Sequence, residues 1–344
     1  MMTSFLRRRA LLPLLFALLA SVLVVPRAHA ATTLYVATNG SDSNAGTLDR
    51  PWRTITKGLR ALKPGDTLYV RGGTYTERVT GFTLPSGTSS ARITVKAYQN
   101  ERPIVKGLLW LKGANYWTFD GINVTWDSNT GRSNEHMLKL IDGTGWVYTN
   151  AEIWGARSFA NILVAGAPAS WKLSYLKVHD TYATNDKWQD HLIYINSYAG
   201  GTGGVIERNL LWNSPNGRAI KVGPSSSSGS KVGKVTIRYN TMYNNPGPAN
   251  INLSYNAADV RIERNIMQKV SERKANVEAT SLSGSNNVAL NNVGWESARV
   301  VTTNFSGLKD GGGNLWINPQ LRAPTNGDFY PTNPQAQAYG RFAP

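Results

Sequence analysis

The sequence predicts an all-β fold, a right-handed parallel β-helix (a solenoid) with a short N-terminal capping helix. The first observation behind this is a repeat. Residues 136–140, 160–164, 191–195, 218–222, 249–253, 275–279 and 298–302 share one pattern, with Leu, Ile or Val at the third place and an apolar residue at nearly every fifth. Their starts lie 24, 31, 27, 31, 26 and 23 residues apart. Intervals of that size mark repeats that bury their apolar faces only against their neighbours, and the two-residue alternation is that of a strand. The second observation is a parallel column: 205–213, 236–244 and 261–269 align, with Asn209, Asn240 and Asn265 at the same place. These amides are expected to stack at a bend about 4.8 Å apart, as a structural ladder. The third is composition. The chain has 33 Gly, 15 Tyr and 11 Trp in 344 residues, with little sustained helical periodicity, as an all-β chain should. One pair of strands plus turns per coil accounts for both columns.

The elements follow in order. Arg7, Arg8 and Arg9, an apolar run over 10–25, and Ala28-His29-Ala30 form the three parts of a secretory signal peptide ending at residue 30. Residues 33–36 read as a first strand and 39–46 as a loop. Ile55, Leu59 and Leu62 recur at helical spacing, and Lys63-Pro64-Gly65-Asp66 stops that helix before a strand at 67–70. An amphipathic helix here would cover the open first coil. Residues 31–344 are expected to be one domain: cap and first coils over 31–105, central rungs over 106–310 and a closing segment over 311–344. The Ser-rich stretch 225–230 reads as a flexible loop bulging from a coil.

Charge and cysteine usage narrow the partners. The formal charge is +16. Four leader arginines (Arg7, Arg8, Arg9 and Arg27), with no acid beside them, account for four of it and leave +12. A basic exported protein suits a polyanion, and outside the cell that is an acidic polysaccharide; no nucleic acid is expected, and no membrane association after leader cleavage. Part of the charge is ordinary surface, since Glu207, Arg238 and Glu263 alternate in sign down one column. The chain has no cysteine, so stacked coils and capped ends must supply what disulfides give other secreted proteins. A secreted monomer is expected.

A resemblance rests on specific residues. The run over 35–47 with Asn39-Gly40-Ser41-Asp42, the Pro51-Trp52 pair, and Lys63-Pro64-Gly65-Asp66-Thr67 running on to Tyr75 resemble the N-terminal cap of secreted β-helix proteins of the pectate-lyase-like superfamily. Residues 313–319 and 326–330 are similar to the way such chains close. The superfamily contains lyases, hydrolases, epimerases and binders, so the resemblance implies fold ahead of activity. Its lyases use a Lys or Arg base, often with calcium held by acidic residues, which implies Lys221 or Arg218 here and Ca²⁺ as a candidate cofactor. The Asp190-His191-x-x-Tyr194 stretch and the following Gly217-Arg218-x-Ile220-Lys221 rung are similar to a pattern in uncharacterised members.

The one dense cluster of ionisable and aromatic groups lies between His179 and Lys221. Alignment of the rungs sets Tyr194 beside Lys221 and His191 beside Arg218. Tyr194 and Lys221 alternate with core residues and should face outward, with Lys139, Asn252 and Glu278 in the same column. His191 and Arg218 share parity with core residues, so parity alone turns them inward. β-Elimination on a uronate needs its carboxylate neutralised, the C5 proton removed and the leaving oxygen protonated. Arg218 suits the carboxylate, Lys221 the base if neighbouring cations lower its pKa, His191 is a competing base, and Tyr194 can donate to the leaving oxygen. Asp190, Trp188, Trp212 and Asn252 are candidate substrate contacts. Asp180, Asp186 and Asp190 could offer carboxylates to Ca²⁺, although their spacing fits no tight metal loop. His136 is expected to be structural and His179 to join an aromatic column with Trp212 and Tyr243. A polysaccharide lyase leads this reading. A glycoside hydrolase, which needs two facing carboxylates, and a non-catalytic glycan-binding module are the alternatives.

Overall fold

A computed structural model describes residues 29–126, 136–182, 189–196, 202–224, 226–271, 273–302 and 306–344. The expected signal peptide falls almost wholly outside the described residues, as do Asp186 and Trp188. The chain winds into a right-handed parallel solenoid with three walls. The first runs from Thr33–Val36 through Ala169–Ser174 and Thr202–Glu207 to Leu308–Asp310. The second runs from Gly73–Tyr75 through Lys177–His179 and Leu210–Trp212 to Leu315–Trp316. The third is built in order from Leu109–Lys112, Leu138–Ile141, Ala160–Ala165, His191–Asn196, Ile220–Val222, Ile251–Ser254, Ala275–Thr280 and Arg299–Val301. Every pairing within these walls is parallel, and one apolar core from Val36 to Leu308 fills the space between them.

The seven aligned segments form seven of the eight strands of the third wall, in the expected register: Ile193 pairs with Ile220 and Ile220 with Ile251. The second sequence column proves to be two strands, so each coil carries three strands where the sequence reading supplied two. The chain bends sharply between Val205 and Trp212 because Arg208 takes a left-handed φ of 55°. Tyr239, Arg264 and Asn291 do the same one coil apart, at 54°, 55° and 49°. No glycine or proline marks these bends; the recurring asparagine is the one residue signal of the corner.

The asparagine ladder stands inside that corner and is longer than expected. The side-chain amide of Asn209 donates to Asn240 at 2.9 Å, and Asn240 to Asn265, Asn265 to Asn292 and Asn292 to Asn314 at 3.0 Å each. The first four are fully buried. Each oxygen also accepts the backbone N–H one coil back, as Asn240 does from Asn209 at 3.0 Å, which satisfies donors that a sharp bend would otherwise orphan.

The ends are covered in different ways. The helix Ile55–Ala61 lies over the first coil with Ile55, Leu59 and Leu62 buried, and Thr54 caps it by accepting from the Lys57 N–H at 3.1 Å. At the other end Leu321–Ala323 and Asp328–Pro331 form an antiparallel hairpin, and the last residues run back along the second wall. There Gly340 N–H donates to the Arg264 carbonyl at 2.8 Å, and the Arg341 guanidinium to the Leu176 and Arg208 carbonyls at 3.2 and 2.9 Å. The Arg208 guanidinium in turn donates to the Ala343 carbonyl at 2.6 Å. Among the described residues no helix is long and apolar enough to cross a membrane.

Candidate functional site

The third wall carries a continuous outer column. Register places Trp110, Lys139, Leu163, Tyr194, Lys221, Asn252 and Glu278 side by side on successive strands, as the sequence predicts from Lys139 onward. On one side of the column its members are hydrophobic or stacked, with the Lys139 ammonium 4.9 Å from the Trp110 ring centre. In the middle the Lys221 ammonium sits 4.6 Å from the centre of the Tyr194 ring, a cation–π contact.

Strand alternation fails at the corner leading into this wall, and the failure assembles the site. Leu192 and Ile193, adjacent in sequence, both face the core, as do Ala219 and Ile220. The same place on neighbouring coils holds Asn161, Asn250 and Asn276, fully buried. Asn250 donates to Asn276 at 2.8 Å, a second amide ladder that the sequence reading missed. Two consecutive inward residues throw the residue before them outward. Arg218 therefore reaches the same face as Lys221 and Tyr194, contrary to the parity expectation, and the three line one cavity of about 340 Å³. Gly217 is what lets the turn close: a Cβ there would lie 1.6 Å from the Asp190 carbonyl oxygen. His136, Phe159 and Leu163 form one side of the cavity, and Asn252, Ser254 and Thr280 the other.

Lys221, Tyr194 and Arg218 are largely covered, between 7% and 9% exposed, so the cluster lies within a recess instead of on an open face. That burial changes their acid–base behaviour. Burial, with Arg218 adding to it, lowers the Lys221 pKa to about 8. Arg218 falls to about 10 through burial, opposed by the attraction of Glu278, and so keeps its charge at neutral pH. A neutral amine is thus accessible next to a fixed cation. Burial and Lys139 hold His136 down to about 3, leaving it an uncharged member of the lining; the sequence reading treated it as structural.

His191 corrects the sequence reading. It packs edge-on against Tyr194, ring centres 5.5 Å apart, yet it is wholly buried and does not line the cavity. Burial, reinforced by Arg218 and Lys221, pushes its pKa well below the usual value. The ring packs behind Tyr194 and does not reach the lining, so the geometry favours Lys221 over it as the base.

Other expected contacts lie elsewhere. Trp212 belongs to the second wall, where His179 stacks on it at 4.1 Å between ring centres and Phe329 covers it at 5.1 Å, so it is not available to a ligand in the cavity. The column His179, Trp212, Tyr243 is as expected, with Trp154 before it. Asp190 is buried; its carboxylate accepts from the Asn216 side-chain amide at 2.7 Å and its carbonyl from the Ser214 hydroxyl. It holds the turn in place instead of facing ligand. Asp180 bonds His179 at 2.7 Å and accepts from Asn213 at 3.0 Å. The two described members of the proposed calcium set are thus committed at separate places, and among the described residues no group of three His, Cys, Asp or Glu could hold a metal. Asp180 and Asp190 do not fit one calcium cage.

Comparison with known proteins adds to this. Residues 34–153 match the family model described as "Pel9A-like, right handed beta helix region". Pectate lyase PEL9 of Emericella nidulans is 33% identical over 123 residues, 36% of this chain and 28% of that protein. The uncharacterized protein YwoF of Bacillus subtilis is 39% identical over 74 residues, 22% of this chain and 15% of that one. The matched stretches thus span less than a third of either relative. Among solved structures, pectate lyase Pel9A superposes with a TM-score of 0.56 at 16% identity, covering 86% of this chain and 84% of its own. A glycoside hydrolase gives 0.58 at 9%, covering 87% and 98%. The two superpositions establish a shared fold. Of the cavity lining, only His136 lies within the family-matched stretch.

Proposed function

Taking the chain as a right-handed β-helix of the pectate-lyase-like superfamily, we propose that it is an exported polysaccharide lyase that cleaves a uronate-containing glycan by β-elimination. One observation carries the reading: Lys221, with its pKa lowered to about 8, lies beside the cation Arg218 in a cavity walled by neutral groups. Arg218 binds the uronate carboxylate through its planar fork, which draws charge away from C5 and makes its proton acidic. The neutral Lys221 amine takes that proton. The C5–H electron pair becomes the C4–C5 double bond, the C4–O bond breaks, and Tyr194 delivers a proton to the departing oxygen. No step runs through calcium.

A hydrolase is disfavoured because no carboxylate lines the cavity among the described residues, and hydrolysis by the usual route needs two. The test is incubation with polygalacturonate, alginate and hyaluronan while the absorbance of the new double bond is followed. A rise that Lys221→Ala abolishes supports the lyase. New reducing ends without that absorbance indicate hydrolysis, and binding without either indicates a glycan-binding module.

A further inference from the structure

The elimination step leaves one part of the cavity without a task. Asn252 lies beside Lys221 in register, and Ser254 two residues on lies beside Thr280. Both are almost wholly buried, and both line the cavity. The Asn252 amide nitrogen donates to the Thr280 hydroxyl at 3.0 Å, which fixes the amide plane. Its oxygen has no hydrogen-bond partner among the described residues, and neither has the Ser254 hydroxyl. Buried polar atoms are nearly always paired, and leaving one unpaired is unfavourable. Two such atoms on one strand, in residues that both line a recess with a cation pair, point to a ligand that completes them.

We infer that Asn252 and Ser254 form a subsite for a free hydroxyl of the glycan beside the uronate held by Arg218, so that the protein selects polymer unacylated at that hydroxyl; this rests on the uronate reading above. A hydroxyl donates to the Asn252 oxygen and exchanges a second hydrogen bond with Ser254. An O-acetyl group has no proton to donate and leaves the amide oxygen orphaned. A site built to pair a hydroxyl rejects the analogue lacking it far more strongly than an apolar pocket rejects an extra methylene. Thr280 is a positioning residue, since it touches Asn252 and holds its amide plane.

The test is calorimetric binding at pH 6, where Lys221 is protonated and turnover is suppressed. Polygalacturonate, alginate and hyaluronan are each used native and chemically O-acetylated. The bound uronan is expected to lose roughly ten- to a hundredfold in affinity on acetylation. Asn252→Leu should weaken binding of the native polymer by a similar factor and reduce the discrimination to about threefold or less. Ser254→Ala, a smaller change that the fold tolerates better, should narrow it in the same direction. Equal affinity for native and acetylated polymer overturns the inference alone, as does discrimination that survives both substitutions. Failure of every uronan to bind overturns the uronate reading and this inference together.

Discussion

Lys221 carries the sharpest expectation at the scale of single residues. Its folded pKa is lowered to about 8 by burial and Arg218, so the proton-accepting form is about a tenth of the population at pH 7 and about nine-tenths at pH 9. Turnover at saturating substrate should therefore climb between pH 7 and 9 and level off above, and a kcat profile flat across that range would remove Lys221 as the base. Arg218→Lys keeps the charge and loses the fork. It should raise KM by about ten- to a hundredfold, measured on the same substrate. The sequence made Tyr194 and Lys221 legible as neighbours, because strand register follows from the aligned apolar positions. It named Arg218 as their companion but not its orientation: the outward position depends on Ala219 and Ile220 both turning inward at a corner that period-2 counting does not contain. His191 occupies the same place as Arg218 one rung earlier, yet its ring is wholly covered and does not line the cavity, which an aligned position alone does not reveal.

At the scale of elements, the ladder inside the first corner is the feature most exposed to test. Asn240 stands between Asn209 and Asn265 and serves the backbone N–H of Asn209 as well. Asn240→Leu should cost roughly 2–4 kcal/mol, from orphaned buried groups on both adjacent coils, read as a lower urea midpoint. The terminal rung Asn314 lies nearer solvent, and its replacement should cost less. Gly217→Ala tests the other corner. Its Cβ would strike the Asp190 carbonyl, so the turn that delivers Arg218 must shift, and activity should fall by more than stability does. The first three ladder asparagines were readable because identical side chains recur at matching intervals. The bend was readable from those asparagines, but not the residues that make it, since Arg208, Tyr239 and Arg264 adopt left-handed backbone without the glycine that usually announces it.

Across the whole molecule, the second wall responds to pH. Burial opposes charge on His179, but hydrogen bonds to Asp180 and Glu152 outweigh it and raise its pKa. The same pairing lowers Glu152 to about 2, with burial opposing and Arg102 assisting. The His179 contribution is complete below its unfolded pKa of about 6.5 and fades as pH rises through the folded value. That of Glu152 is complete above about 4.5 and fades as pH falls toward 2. Wild type should therefore exceed His179→Gln in thermal midpoint most clearly near pH 5–6, with the gap shrinking by pH 9. An unchanged gap would assign His179 to stacking alone. A helix over the opening coil was legible in three apolar residues at helical spacing. The returning tail was not, since its hydrogen bonds reach carbonyls 133 and 165 residues upstream. That tail has a temporal consequence. Residues 340–343 find their partners only once the coils that carry Leu176, Arg208 and Arg264 exist, so they fasten a body that is already wound. Clipping them should leave an unlatched rod, recognisable by faster protease trimming from its C-terminal end.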